Sequence, residues 1–295
     1  MRFRLPIFLA LVLSLAGCKG GSDSTAPPKV ASFPELGQGT TVGEGIQRFE
    51  VKIPTDGESH RLWVYLPTEK QKDMPLILIG PAGSPLIYGM ALGDGDVDEH
   101  LPYATAGFAV VAYDISGGVQ DHAPESEVVA AAKAFKDSEG GVNDAKIALD
   151  YAFAKLSIDK KRVYTAGHSS AATLSMQVAA RDPRITGCVA YAPVTDIPKR
   201  LGDALLANLD SKIGGFSSFI KDVSPSNNVD KLKCRTFIFQ AEDDGNVPIA
   251  DTERFVEALK KSNQDVTFKR VPTGGHYDAM IREGIADAIQ WLRGK

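Results

Sequence analysis

Apolar and polar residues alternate along "RFEVKI" (48–53) and "HRLWVYLP" (60–67). Alternation puts every second side chain on one face, so each run predicts a half-buried strand. The turn-forming Pro54-Thr55-Asp56-Gly57 between them predicts an antiparallel hairpin. Downstream the pattern changes. "PLILIG" (75–80), "GFAVVAYD" (107–114), "RVYTAG" (162–167), "ITGCVAYAP" (185–193) and "CRTFIFQA" (234–241) are short continuous apolar runs, and "VTFKRVP" (266–272) ends the series. Runs without a polar face suit parallel strands covered on both sides.

Helical spacing appears between these runs. Ile147, Ala148, Tyr151, Ala152 and Leu156 share one face of 142–156, with Asn143 as the expected cap. Phe255, Ala258 and Leu259 do the same in 249–263, with Asp251 as its expected cap. A hairpin followed by β-α units predicts one α/β domain with a doubly wound, mostly parallel sheet and an antiparallel edge. Residues 195–230 are too long for an ordinary connection. They contain "LGDALLANL" and "GGFSSFI", which predicts short helices forming a lid insertion over the top of the sheet.

The N-terminus changes the picture of where the chain works. Arg2 and Arg4 precede a short apolar segment, Pro6 to Leu15, that reads as a secretory signal. It ends in Leu15-Ala16-Gly17-Cys18, which resembles the bacterial lipobox. That resemblance implies lipidation of Cys18, a membrane attachment by lipid anchor, and an exported, envelope-bound protein. The expected division is a signal at 1–18, a Gly/Ser/Pro-rich flexible tether at 19–44 and the catalytic-type domain at 45–295. Lys19, rather than an aspartate, follows the cysteine, which favours the outer membrane. An exported compartment also permits a disulfide between Cys188 and Cys234, which head neighbouring strands; two buried thiols are the alternative. The formal charge of −4, with no basic stripe, argues against a nucleic-acid partner.

Ligands of open α/β sheets bind at the carboxyl ends of the strands. Three residue types with complementary chemistry fall there. Ser169 follows "RVYTAG", Asp243 and Asp244 follow "CRTFIFQA", and His276 follows "VTFKRVP" after a short turn. A serine hydroxyl is a weak nucleophile until a histidine removes its proton, and a carboxylate fixes the histidine tautomer. Serine, acid and histidine in that chain order are the triad order of the α/β-hydrolases.

The chain resembles that superfamily from the hairpin to its end, and within it the dienelactone-hydrolase and prolyl-oligopeptidase-like branch. The matching stretches are "GHSSA", "SPSNNVDKLKCRTFIFQAEDDGNVPIADTERFVEALKK" and "VPTGGHYDAM". In that branch the acid stands three residues before the valine of a Val-Pro pair. Val247-Pro248 therefore marks Asp244, with Asp243 second. Three departures stand out. Ala171 replaces the last glycine of G-x-S-x-G, Gln240-Ala241 replaces a His-Gly expected to leave the triad untouched, and Tyr277 replaces a glycine.

An acyl-transfer site also needs donors for the oxyanion. The resemblance implies the backbone N–H of Ser170 and a second from the loop Gly80-Pro81-Ala82-Gly83-Ser84. Pro81 has no N–H, which leaves Ala82. No metal or cofactor is expected. "GDGDVDEH" (93–100) fails the EF-hand pattern, because its sixth and twelfth positions from Asp94 are Glu99 and Thr105. His60, His100 and His122 show no ligand spacing.

The expected activity is hydrolysis of an ester, on a small-molecule or a carbohydrate or peptide ester substrate, through an acyl-enzyme. Roughly 30 residues separate Cys18 from the first expected strand, which leaves no room there for the propeller domain of the prolyl-oligopeptidase relatives. Peptide hydrolysis is the alternative within the same chemistry. A hydrolase fold that binds without catalysing is the alternative outside it.

Overall fold

The computed structural model describes residues 30, 32–55, 59–69, 71–120 and 122–294. Cys18, the signal and most of the expected tether lie outside the described residues, as does the tip of the hairpin turn at 56–58.

The strands are β1 (Thr40–Gly43), β2 (Ile46–Ile53), β3 (His60–Pro67), β4 (Met74–Ile79), β5 (Ala109–Tyr113), β6 (Ile158–His168), β7 (Gly187–Tyr191), β8 (Arg235–Ala241) and β9 (Val266–Val271). They form one sheet in the order β1-β2-β3-β5-β4-β6-β7-β8-β9. The first three and the β3–β5 pair are antiparallel, and from β5 to β9 every pairing is parallel. The two sequence patterns map onto these two halves. The alternating runs became the antiparallel strands β2 and β3, although β3, paired on both sides, is buried at four successive positions from Leu62 to Tyr65 instead of on one face; the continuous apolar run of β7 is buried at all five positions.

Helices cover both faces. One face carries α1 (Val97–Thr105) and α9 (Ile285–Arg293) over a core that includes Trp63, Ile77, Tyr103, Tyr191 and Phe239. The other carries α2 (Glu125–Asp137), α3 (Val142–Lys155), α4 (Ser170–Arg181) and α8 (Ile249–Ser262) over Leu62, Leu76, Leu78, Val111 and Ile238. The insertion folds, as expected, into the short helices α5 (Ile197–Leu201), α6 (Asp203–Ile213) and α7 (Phe216–Asp222). Its apolar side chains are continuous with the second core. Phe219 meets Phe135 of α2 edge-on at 5.9 Å, and Phe216 and Ile220 are fully buried.

Four expectations change. The tether does not run free to residue 44. Thr40–Gly43 pairs with β2, Phe33 packs edge-on against Tyr151, and Lys155 binds Glu35 at 2.5 Å. Apolar residues spaced through a Gly-rich stretch found a surface to cover, so the domain begins before residue 45. Neither expected cap forms. Asn143 lies inside α3, whose cap is Gly141 at φ 92°, and Asp251 lies inside α8, where it binds Lys199 at 2.6 Å and pairs with Arg254. Finally, Cys188 and Cys234 are free thiols rather than a disulfide. Cys188 faces Thr236 across the β7–β8 ladder, two positions beyond Cys234.

Candidate active site

The chain must turn sharply where β6 ends and α4 begins. Ser169 sits at that point with φ 55° and ψ −117°, a backbone conformation that costs a non-glycine residue about 1–3 kcal/mol. Its neighbours hold it there. The Ser169 N–H donates to Tyr191 O at 2.8 Å, and Ser169 O accepts from the Thr173 N–H at 3.1 Å. Close packing supplies the rest. A methyl on Gly167 would lie 2.5 Å from the carbonyl carbon and oxygen of Ala171 and 2.9 Å from its Cβ. Ala171 is fully buried, so the glycine at 167 makes the room that the alanine at 171 fills.

Ser170, buried at the start of α4, does more than expected. Its Oγ accepts from the Gly83 N–H at 3.1 Å. That bond ties the loop after β4 to the helix that follows Ser169. It also occupies the Gly83 N–H and leaves Ala82 as the neighbouring free candidate for the second oxyanion donor.

Asp244 and His276 come together from the ends of β8 and β9. His276 Nδ1 lies 2.9 Å from Asp244 Oδ2 and 3.1 Å from Oδ1. A carboxylate only accepts, so Nδ1 carries the hydrogen and Nε2 presents its lone pair. The Asp244 carboxylate also accepts from the Asn246 and Val247 N–H groups, at 2.9 and 3.0 Å, and from Gln240 Nε2 at 3.0 Å. Burial pushes this carboxyl up. The bonds from His276, Val247 and Asn246 outweigh burial and hold it below the usual aspartate value. Gln240, expected to leave the triad untouched, therefore belongs to the acid's support; only its position next to the acid hinted at this.

The other aspartate has a different job. Asp243 accepts from the Gly275 N–H at 2.7 Å and from the Gly274 N–H at 3.2 Å, and so clamps the loop that carries His276. Both glycines have positive φ, 129° at Gly274 and 60° at Gly275, which lets their N–H groups converge on one carboxylate. A third clamp comes from His168, the residue just before Ser169. Its Nε2 lies 2.8 Å from His276 O, and the two rings stand 4.6 Å apart. Ser169 and His276 thus lie on loops in direct contact. Among the described residues no hydrogen bond joins Ser169 Oγ to His276, and such bonds are commonly long before substrate arrives.

Other polar side chains of these loops make structural bonds. Asp114 makes a two-bond pair with Arg61, each bond 3.0 Å, and Ser116 bonds the Asp144 carboxylate at 2.7 and 2.8 Å. Asp96 accepts from the Gly93 N–H at 2.7 Å and closes the turn before α1. Among the described residues no cluster of three metal-ligating side chains occurs.

A strained serine at a strand–helix turn, a hydrogen-bonded Asp–His pair at the next strand ends and a doubly wound sheet define a serine hydrolase of the α/β-hydrolase fold. The prolyl oligopeptidase family matches residues 97–295, and the chain belongs to that family. Among solved structures, the chain is similar to acetyl xylan esterase 1 from Thermoanaerobacterium sp. JW/SL YS485, with TM-score 0.65 and 17% identity, covering 91% of this chain and 88% of that one. It is similar to Porphyromonas gingivalis dipeptidyl peptidase 4 (TM-score 0.63, 18% identity), covering 84% of this chain and 35% of that one. It is also similar to the Pyrococcus horikoshii acylaminoacyl peptidase (TM-score 0.64, 13% identity), covering 84% and 40%. No curated protein matches.

Proposed function

We propose that the protein is a carboxylesterase that works through Ser169, His276 and Asp244. The observation that carries this reading is the Asp244–His276 pair, which fixes the imidazole with a bare Nε2 on the loop that touches the serine elbow. His276 Nε2 takes the proton as Ser169 Oγ adds to the ester carbonyl. The negative charge that forms on the carbonyl oxygen is met by the Ser170 and Ala82 N–H groups. The tetrahedral species expels the alcohol, which takes the proton from His276, and leaves an acyl group on Ser169. Water then attacks with the same base, and the acid leaves. Asp244 stays ionised throughout and stabilises the imidazolium of each half-reaction.

Ester over peptide is supported by the extent of the structural likeness. The acetyl xylan esterase is covered over 88% of its length, against 35% and 40% for the two peptidases. The family description favours peptide hydrolysis as the second reading. The test is fluorophosphonate labelling of the wild type and of Ser169→Ala, with hydrolysis of p-nitrophenyl esters of increasing chain length beside aminoacyl-naphthylamides. Labelling lost in S169A together with ester turnover is the expected result. Turnover of the amides alone transfers the reading to peptide hydrolysis. Absence of labelling in the wild type removes it in favour of a binding role.

The reading extends to place. Lipidation at Cys18 would hold the enzyme on the bacterial envelope, at the outer membrane if there are two. Incorporation of labelled palmitate in the wild type but not in Cys18→Ala is the expected outcome; equal incorporation in both refutes it.

A further inference from the structure

A buried acid and a buried histidine lie behind His276, and the triad chemistry uses neither. We propose that Glu99 and His168 form a proton-gated brace that positions His276 through its main-chain carbonyl and releases it when Glu99 ionises. The inference rests on the reading of His276 as the general base.

Hydrogen-bond direction fixes the brace. The carbonyl oxygen of His276 can only accept, so His168 Nε2, at 2.8 Å, carries the hydrogen. His168 is 4% exposed. Burial, reinforced by His276, pulls its imidazole down to about 4, against the opposing carbonyl bond and Asp244. The ring is therefore neutral at ordinary pH, with one hydrogen, and its Nδ1 is a bare lone pair. That lone pair faces Glu99 Oε1 at 3.8 Å. A carboxylate there repels a lone pair; a carboxylic acid donates toward it.

The surroundings of Glu99 decide which form is present. It is 7% exposed on α1. Burial pushes its carboxyl up to about 8, and the charges of Asp96 and Asp98 add to the shift. From β7 and α1, Tyr191 and Tyr103 face it with their hydroxyls bonded to each other at 2.5 Å, and burial keeps both phenols neutral. Tyr277, whose ring stands 5.4 Å from that of His168, is also pushed up, by burial and then by Glu99. The contact between Glu99 and His168 is thus acid to neutral imidazole near neutrality, not an ion pair.

Raising the pH through about 8 removes the Glu99 proton to solvent. The new carboxylate attracts an N–H, so the imidazole hydrogen moves from Nε2 to Nδ1 by exchange with water. The bare Nε2 then faces the His276 carbonyl oxygen, lone pair to lone pair. The brace opens, and the loop carrying His276 is left to Asp243 and Asp244.

Two measurements on the full-length protein test this. The first is kcat for p-nitrophenyl acetate against pH, in the wild type and in Glu99→Gln, whose amide donates at every pH. Wild-type kcat should fall about tenfold between about pH 7 and about pH 9.5, and E99Q should remove that fall. The second is 15N NMR of labelled histidines. The His168 tautomer should change from Nε2–H to Nδ1–H over the same range in the wild type and stay Nε2–H in E99Q. An alkaline fall of equal size in E99Q, or a His168 tautomer that does not change in the wild type, overturns the brace. If E99Q fails to fold, the wild-type NMR titration decides alone. If fluorophosphonate labelling and esterase turnover are both absent, the serine-hydrolase reading fails while the tautomer result still stands or falls by itself.

Discussion

The two halves of the site are held by different forces. The serine elbow is fixed by packing and backbone geometry: Ser169 at positive φ, with Gly167 packed against Ala171 and, among the described residues, no charged side chain bonded to Ser169. The His276 loop is fixed by polar bonds from Asp243, Asp244 and His168. Packing tolerates little change of shape but ignores pH. Polar clamps tolerate changes of shape but respond to charge. Steric variants should therefore damage the elbow through stability, and polar variants should damage the histidine loop through rate.

The largest effect is expected from Asp244→Asn, which keeps the shape and removes the charge that orients His276. The kcat should fall about 10,000-fold, with a lowered thermal midpoint as well, because the folded state favours the ionised carboxyl that the substitution removes; a fall in kcat under about tenfold would show that the clamps alone orient the ring. Next comes Gly167→Ala, whose methyl has no room beside Ala171. Urea unfolding should show a loss of about 3 kcal/mol, a shift of roughly 100-fold in the folded-to-unfolded ratio. A wild-type midpoint would mean that α4 moves freely against β6. Asp243→Ala should lower kcat about tenfold by freeing the Gly274–Gly275 turn, with little change in stability. An effect on unfolding larger than on kcat would place Asp243 among the structural residues instead. The smallest effect is expected from Ala171→Gly, which restores the common elbow pattern. It should cost about 1–2 kcal/mol from helix propensity and the lost buried methyl, with activity within about twofold. A large change in kcat would mean that Ala171 tunes the position of Ser169 after all.

Much of this was legible in the sequence because it is periodic or local. The change from alternating to continuous apolar runs marked the change from antiparallel to parallel strands. Ser169, the Asp243–Asp244 pair and His276 follow strands, so strand ends located them, and the family resemblance singled out Asp244 through Val247-Pro248. What stayed hidden is side-chain contact. The Gln240 bond to Asp244 is local but depends on how the turn after β8 folds, and the Asp243 clamp on residues 274–275 and the meeting of Glu99 with His168 join distant parts of the chain with no periodic signal. β1 was missed because four residues in a Gly-rich stretch carry almost no pattern until β2 is there to pair with them. Asn143 and Asp251 show the opposite failure: a good capping residue near a helix start was overruled by Gly141 and Pro248, whose backbone already made the turn.

The bond from Gly83 to the Ser170 hydroxyl has a consequence for fluctuation. Ser169 and Ala82 follow different strands, β6 and β4, and breathing of the sheet would otherwise change their separation from one moment to the next. Ser170 is adjacent to Ser169 in the chain and bonded to the residue after Ala82. The Ser169 hydroxyl and the N–H groups proposed to meet the charge on the carbonyl oxygen therefore share one local frame. They ride the same motion, and the sheet beneath them can flex without detuning their spacing.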